Sequence, residues 1–112
     1  MDLQVVRKLD PLFPIQLLQA EARAFLGLNR LDDAFAKSGN ALRRNPQNVN
    51  AMLYFITAAW RLGKKDEALW QLEELMLIHS PDNLDLYLRK QPWDKKIKNT
   101  ILNTFSEILE NR

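Results

Sequence analysis

Apolar residues between positions 15 and 78 recur at steps of three and four, which is the spacing of one helix face. Four helices are predicted from this pattern. Pro46 and Pro81 end the second and the fourth, and Gly63 follows the third. Asp32 is the candidate N-cap of the second helix. The four apolar stripes are Ile15, Leu18, Ala22, Phe25 and Leu26; Leu31, Ala34, Phe35, Ala41 and Leu42; Val49, Met52, Phe55, Ile56 and Ala59; and Ala68, Leu69, Leu72, Leu75, Met76 and Ile78.

The four helices form two copies of one unit. A shift of 34 positions places Ala34 on Ala68 and Asn29 on Gly63. Each copy closes with a similar proline turn, and the second copy has one extra residue before its proline. Two helical hairpins in register predict an all-α fold in which neighbouring units stack on each other.

The period and the residue types resemble the tetratricopeptide repeat over residues 15–83. That family has a large apolar residue early in its first helix, then a small one, an aromatic one, an alanine opening the second helix, and a closing proline. The matching positions are Leu18, Ala22, Phe25, Ala34, Ala41 and Pro46 in unit one, and Met52, Phe55, Ala68 and Leu72 in unit two. The chain departs from the family at Glu21 and Ser38, and it exchanges large and small residues at Ile56 and Ala59. The resemblance implies an α-solenoid, a right-handed superhelix in which the first helix of each unit lines a concave groove.

The two ends of the chain differ from the repeats. A helix stop at Leu9-Asp10-Pro11 predicts a partial leading repeat, with a simple N-terminal helix as the alternative. Near the other end, Pro92 ends a short helix, and Asp94 is the candidate N-cap of a last helix that caps the array. The apolar stripe of this last helix is Ile97, Ile101, Leu102, Phe105, Ile108 and Leu109. The chain is thus one domain with a partial repeat (1–14), two repeats (15–48 and 49–83) and a capping region (84–112).

The closing region is also similar to the ends of repeat arrays attached to bacterial class III adenylate cyclases and related signalling proteins. The similarity lies in the short helix, the proline–aromatic turn and the last helix, and in the stretch from Leu9 to Pro14. It implies one alternative function, a regulatory segment of a larger bacterial signalling protein. No catalytic residue of a cyclase is present to carry over.

Composition narrows the classes of function. The chain of 112 residues is long enough for one core. A net charge of +2 and basic clusters balanced by acidic neighbours give no indication of a nucleic-acid partner. No apolar run approaches the roughly 20 residues that span a bilayer, so no membrane partner is expected. The chain has no cysteine, which excludes a disulfide framework and fits the cytoplasm. One histidine and no glycine-rich phosphate loop predict no enzyme, no cofactor and no metal site.

The first helix of each unit leaves a second stripe beside its core positions. We predict that the two stripes form a groove for a peptide or a partner helix. The groove residues are Gln16, Gln19, Arg23 and Leu26 in unit one, and Asn50, Leu53, Thr57, Trp60 and Arg61 in unit two. Trp60 and Arg23 are of the types that most often dominate binding energy, although Trp60 has core packing as its alternative. Trp70 is expected on the convex surface or between repeats, and Trp93 in the turn before the last helix.

Self-association is a further alternative. A partial leading repeat would present an apolar edge with no matching helix in its own chain, and such an edge can pair with its copy in a homodimer. The edge residues are Leu3, Val5, Val6 and Leu9.

Overall fold

The computed structural model describes residues 14–80 and 83–111 of the protein. Every regular element in these residues is helical, which confirms the predicted all-α class. The helices are α1 (Ile15–Gly27), α2 (Leu31–Arg44), α3 (Val49–Arg61), α4 (Lys65–Met76), α5 (Leu84–Arg89) and α6 (Lys95–Glu110). Apart from Pro14, the predicted partial repeat lies outside the described residues, and so do Leu3, Val5, Val6 and Leu9 of the predicted self-association edge.

The first four helices pack as two neighbouring hairpins. α1 lies on α2, α2 on α3, and α3 on α4, and α1 also contacts α3. Ala34 and Ala68 are completely buried, and small side chains at such positions let two helices approach closely. Ser38 is also buried, and its hydroxyl donates to the carbonyl oxygen of Ala34 at 2.7 Å. This bond within the helix satisfies a polar group at a position where the resembled family has an aromatic residue.

The turns inside the two hairpins have the same structure. In the first turn the N–H of Arg30 donates to the carbonyl oxygen of Phe25 at 2.8 Å, and in the second the N–H of Lys64 donates to that of Ala59 at 2.9 Å. Such a bond is typical of a Schellman motif, in which the residue before the donor is left-handed. The left-handed residues are Asn29 (φ 60°) and Gly63 (φ 85°). The offset of 34 positions read from the sequence therefore recurs in the backbone.

A hydrogen bond between the residues that flank each predicted proline turn also recurs. The N–H of Asn48 donates to the carbonyl oxygen of Asn45 at 3.1 Å, and the N–H of Asn83 donates to that of Ser80 at 3.1 Å. The spacing between these bonds is one residue longer than the spacing between the hairpin turns, as the sequence predicts. Asn48 has a second role as the N-cap of α3, because its side chain accepts the N–H of Ala51 at 3.0 Å.

Of the two predicted aspartate caps, one is confirmed and one is wrong. The Asp94 carboxylate accepts the N–H of Lys96 at 3.0 Å and so caps α6. The N-cap of α2 is Arg30 rather than Asp32. Asp32 lies two residues further on, in the first turn of α2, where a carboxylate is close to the positive end of the helix dipole. Two consecutive aspartates favour a helix start without fixing which residue is the cap.

α3 is the centre of the molecule. It contacts α1, α2, α4 and α6, and nine of its 13 residues are buried. A helix that is apolar on nearly all sides is expected to be covered on nearly all sides. The layer formed by α1 and α3 has α2 and α4 on one side. α6 lies on the other side, in contact with both α3 and α1.

Candidate interaction surfaces

The predicted groove lies on the face of α1 and α3 that α6 covers; we call it the inner face. Four of the nine groove residues are buried there. Leu53 and Thr57 have no exposed surface, Leu26 retains 3% and Trp60 retains 8%. The Thr57 hydroxyl donates to the carbonyl oxygen of Leu53 at 2.7 Å, so it presents no free donor. An open groove at these residues would require α6 to move away.

α6 fits the inner face through its apolar stripe. Ile101, Phe105 and Ile108 are buried and belong to the same hydrophobic cluster as the core residues of α3. At the end of α1 the approach is close, because a Cβ atom on Gly27 would lie 3.3 Å from the Ile97 side chain. Arg61 marks the edge of the contact, where its Nε donates to Thr104 Oγ1 at 2.9 Å. Thr104 is completely buried.

Trp93 joins the segment before α6 to both hairpins. Its ring lies 5.3 Å from the Tyr54 ring on α3, and the guanidinium of Arg23 on α1 lies 5.8 Å from its centre. The Arg23 guanidinium also donates to the Tyr54 hydroxyl at 3.4 Å. Burial raises the pKa of Tyr54 to about 12, and Arg23 offsets only part of that rise. Trp93, which is predicted in the turn before the last helix, therefore packs against residues of α1 and α3.

The remaining groove residues lie near the start of α1 and α3. Gln16 is exposed and Gln19 is half-buried. Asn50 accepts a hydrogen bond from the Tyr87 hydroxyl of α5, whose pKa is raised by burial. The Tyr87 ring also meets the ring of His79 edge-on at 5.0 Å. The structure thus brings Arg23, Asn50 and Arg61 into contact with the capping region rather than with each other.

A second concave surface, which we call the outer pocket, lies on the other side of the molecule. It has a cavity volume of about 450 Å³ and is lined by residues of α2, α3 and α4. Phe35 and Phe55 stack there with their ring centres 4.7 Å apart. Trp70, which is predicted on the convex surface or between repeats, lines this pocket and remains 62% exposed. The prediction of a binding groove did not include this pocket.

One sequence signal could have pointed to the outer pocket. Glu67, Trp70 and Glu74 follow one another at steps of three and four along α4, so they share a helix face. An aromatic residue between two carboxylates on one face is not the composition of a core stripe. The contribution of Phe35 and Phe55 was hidden, because both also belong to the apolar stripes of their helices.

Comparison with protein-family models, with curated proteins and with solved structures found no match. Within residues 14–80 and 83–111, no helix has the length and the apolar run needed to cross a membrane. The same residues contain no group of three or more His, Asp or Glu side chains arranged to hold a metal ion.

Proposed function

We propose that the protein is a non-catalytic interaction module that binds a helix of a partner protein on the inner face. The observation that carries this proposal is α6 itself, an amphipathic helix that already lies across α1 and α3. The inner face is therefore shaped to hold a helix. Binding of an amphipathic helix through anchors at positions i, i+4 and i+7 is a common mode of recognition. The buried Ile101, Phe105 and Ile108 have this spacing.

The contacts of α6 define the partner chemistry. The partner helix needs three apolar anchors on one face, because Leu53 has no polar group in its side chain and the Thr57 hydroxyl is already bonded to the carbonyl oxygen of Leu53. It also needs a hydrogen-bond acceptor where Thr104 accepts from Arg61. Its opposite face is polar, as in α6, where Lys95, Lys96, Asn99, Asn103 and Glu107 are exposed. In this proposal α6 and the partner helix compete for the same binding surface, the inner face. The protein is proposed to be cytoplasmic.

A peptide of residues 93–111, added to the intact protein, tests the proposal. The covalently attached α6 has a high effective concentration, so the peptide is expected to bind weakly to the unchanged chain. Ile101→Val in the chain removes one methyl group from the attached helix and leaves the inner face unaltered. We expect this variant to bind the labelled wild-type peptide roughly two- to tenfold more tightly in fluorescence anisotropy.

Two controls make the result specific. A peptide carrying Ile101→Asp and Phe105→Asp has lost two anchors and is expected not to bind. Leu109→Val in the chain is the matched substitution at a residue that is 44% exposed, and it is expected to leave peptide binding unchanged. If Ile101→Val and the unchanged chain both fold and neither binds the peptide, the inner face does not accept a helix from another molecule.

Self-association is a second candidate, favoured by the same contact. α6 is joined to the hairpins through α5 and a short non-helical segment, residues 90–94, that contains Pro92. Exchange of α6 between two copies would build a dimer without any new surface. Light scattering over about a hundredfold range of concentration tests this, since a dimer must dissociate on dilution. A monomer mass of 13.1 kDa at every concentration would contradict it.

A further inference from the structure

We infer that the outer pocket is a second binding site, for a peptide segment that places an apolar side chain in the pocket and an adjacent arginine or lysine over Trp70. The inference does not depend on the proposed function of the inner face, because the pocket lies on the opposite side of α1 and α3. It rests on three features of the pocket: its apolar base, its acidic wall and its exposed tryptophan.

The apolar base has room for a side chain. The stacked rings of Phe35 and Phe55 form part of it, together with Leu42 and Pro46. Gly39 also lines the pocket, and a Cβ atom there would lie 3.7 Å from the Phe55 ring. Glycine therefore leaves the ring uncovered at this point. A volume of about 450 Å³ is within the range of pockets that hold small ligands.

The wall contributed by α4 is acidic. Four carboxylates and one lysine give this helix a net charge of −3. Glu67 and Glu74 both line the pocket, and neither forms an ion pair within the described part of the chain. Two carboxylates that form no ion pair with any described residue, beside an apolar pocket, favour a cationic ligand and disfavour a phosphate. The charge of this wall therefore selects a basic segment.

Trp70 lies between these carboxylates along the helix. Its ring is mostly exposed and stacks with no ring or cation among residues 14–80 and 83–111. A tryptophan face attracts a guanidinium or ammonium group, and carboxylates on both sides strengthen the attraction. Phe35, a ring of the pocket base, already shows this chemistry, since the Lys64 ammonium lies 5.4 Å from its centre. Arg43, on the α2 side, is engaged by Asn40 Oδ1 at 2.8 Å.

The test uses the intact protein, isotope-labelled for NMR, and two small probes. The first probe is N-acetyl-phenylalanyl-arginine amide. The second replaces arginine with citrulline, which has nearly the same shape and no charge. We expect the arginine probe to shift the indole N–H of Trp70 and the amide of Gly39, with a dissociation constant in the millimolar range. The citrulline probe is expected to bind roughly two- to fivefold more weakly.

Three variants assign the effect to the pocket. Trp70→Ala is expected to abolish the shift at Gly39 and to leave the fold intact, because Trp70 is exposed. Glu67→Gln combined with Glu74→Gln is expected to reduce the difference in affinity between the two probes, because only the attraction of the Trp70 ring for the guanidinium remains. Asp66→Asn combined with Glu73→Gln is the matched control, since it also removes two negative charges from α4, at residues outside the pocket lining. Equal binding of both probes to the unchanged protein, or no shift at Gly39 and Trp70, would overturn the inference.

Discussion

At the scale of single residues, the two residues with a left-handed backbone conformation show how sequence and backbone depend on each other. Asn29 and Gly63 occupy equivalent places, at φ 60° and φ 85°. Glycine adopts this conformation without steric cost, and asparagine tolerates it better than most other residues. No atom lies within 4 Å of a Cβ atom built on Gly63, so a substitution there changes the backbone energy and little else.

Gly63→Ala is expected to lower the free energy of unfolding by about 1 kcal/mol, because alanine disfavours positive φ. Urea denaturation followed by circular dichroism measures the change. Gly63→Asn copies the residue of the first hairpin and is expected to cost less than Gly63→Ala. Equal stability of the alanine variant and the unchanged protein would contradict the left-handed conformation at this position.

Tyr54 predicts a pH dependence. Its pKa is about 12 in the folded protein against 10.0 for an ordinary tyrosine, mainly because burial disfavours the charged form. The resulting stability is fully present below pH 10 and is lost as the pH rises towards 12. Between these values we expect the unchanged protein to lose on the order of 2 kcal/mol more than Tyr54→Phe does. Urea denaturation of both proteins across this pH range measures the difference, and parallel pH profiles would contradict the prediction.

At the scale of elements, the position of α6 determines whether the predicted groove on α1 and α3 is open or buried. Its apolar stripe was readable from the sequence, and a capping function was predicted from that stripe. The sequence did not show where it packs. The amphipathic pattern shows which face of a helix is buried, but it does not show which other helices that face packs against. The contact between Arg61 and Thr104 spans 43 positions along the chain, beyond the reach of any local pattern.

Phe105→Ala is expected to destabilise the protein by about 3 to 5 kcal/mol, because it leaves a cavity between α6 and the core. Leu109→Ala, on the same helix but 44% exposed, is expected to cost clearly less. The free energy of unfolding in urea measures both changes. Equal costs for the two variants would show that the stripe of α6 is not seated on the inner face.

The hairpins themselves were predictable for a different reason. Their pairing is local, and their helix ends carry residues with strong backbone preferences, such as Pro46, Gly63 and Asn48. The burial of Leu53 and Trp60 was not predictable in this way, because a buried stripe and a binding groove have the same composition. Only the position of α6 distinguishes them.

At the scale of the whole molecule, α6 connects the two hairpins. A stack of repeats in which each unit touches only its neighbours can unfold one unit at a time. Here the last helix contacts α1 and α3 together, so loss of α6 exposes both hairpins at once. The described part of the chain should therefore unfold as one cooperative unit.

Native-state hydrogen exchange measures this cooperativity. In Phe105→Ala we expect faster exchange in α1 and α3 as well as in α6, by similar factors, because all three open in one step. Leu17→Ala, at a residue of α1 that is 45% exposed, is the control and is expected to change exchange little. Faster exchange confined to α6 would mean that the hairpins are independently stable.

The order of the helices along the chain has a consequence for biosynthesis. Translation proceeds from the N-terminus, so α1 and α3 leave the ribosome before α6 exists. During that interval Leu26, Leu53 and Trp60 have no covering helix, so the nascent chain exposes an apolar surface to solvent. A helix encountered then meets no competitor, whereas one encountered later must displace α6. If the proposed function holds, the timing of that encounter, as much as the affinity, decides which helix covers α1 and α3.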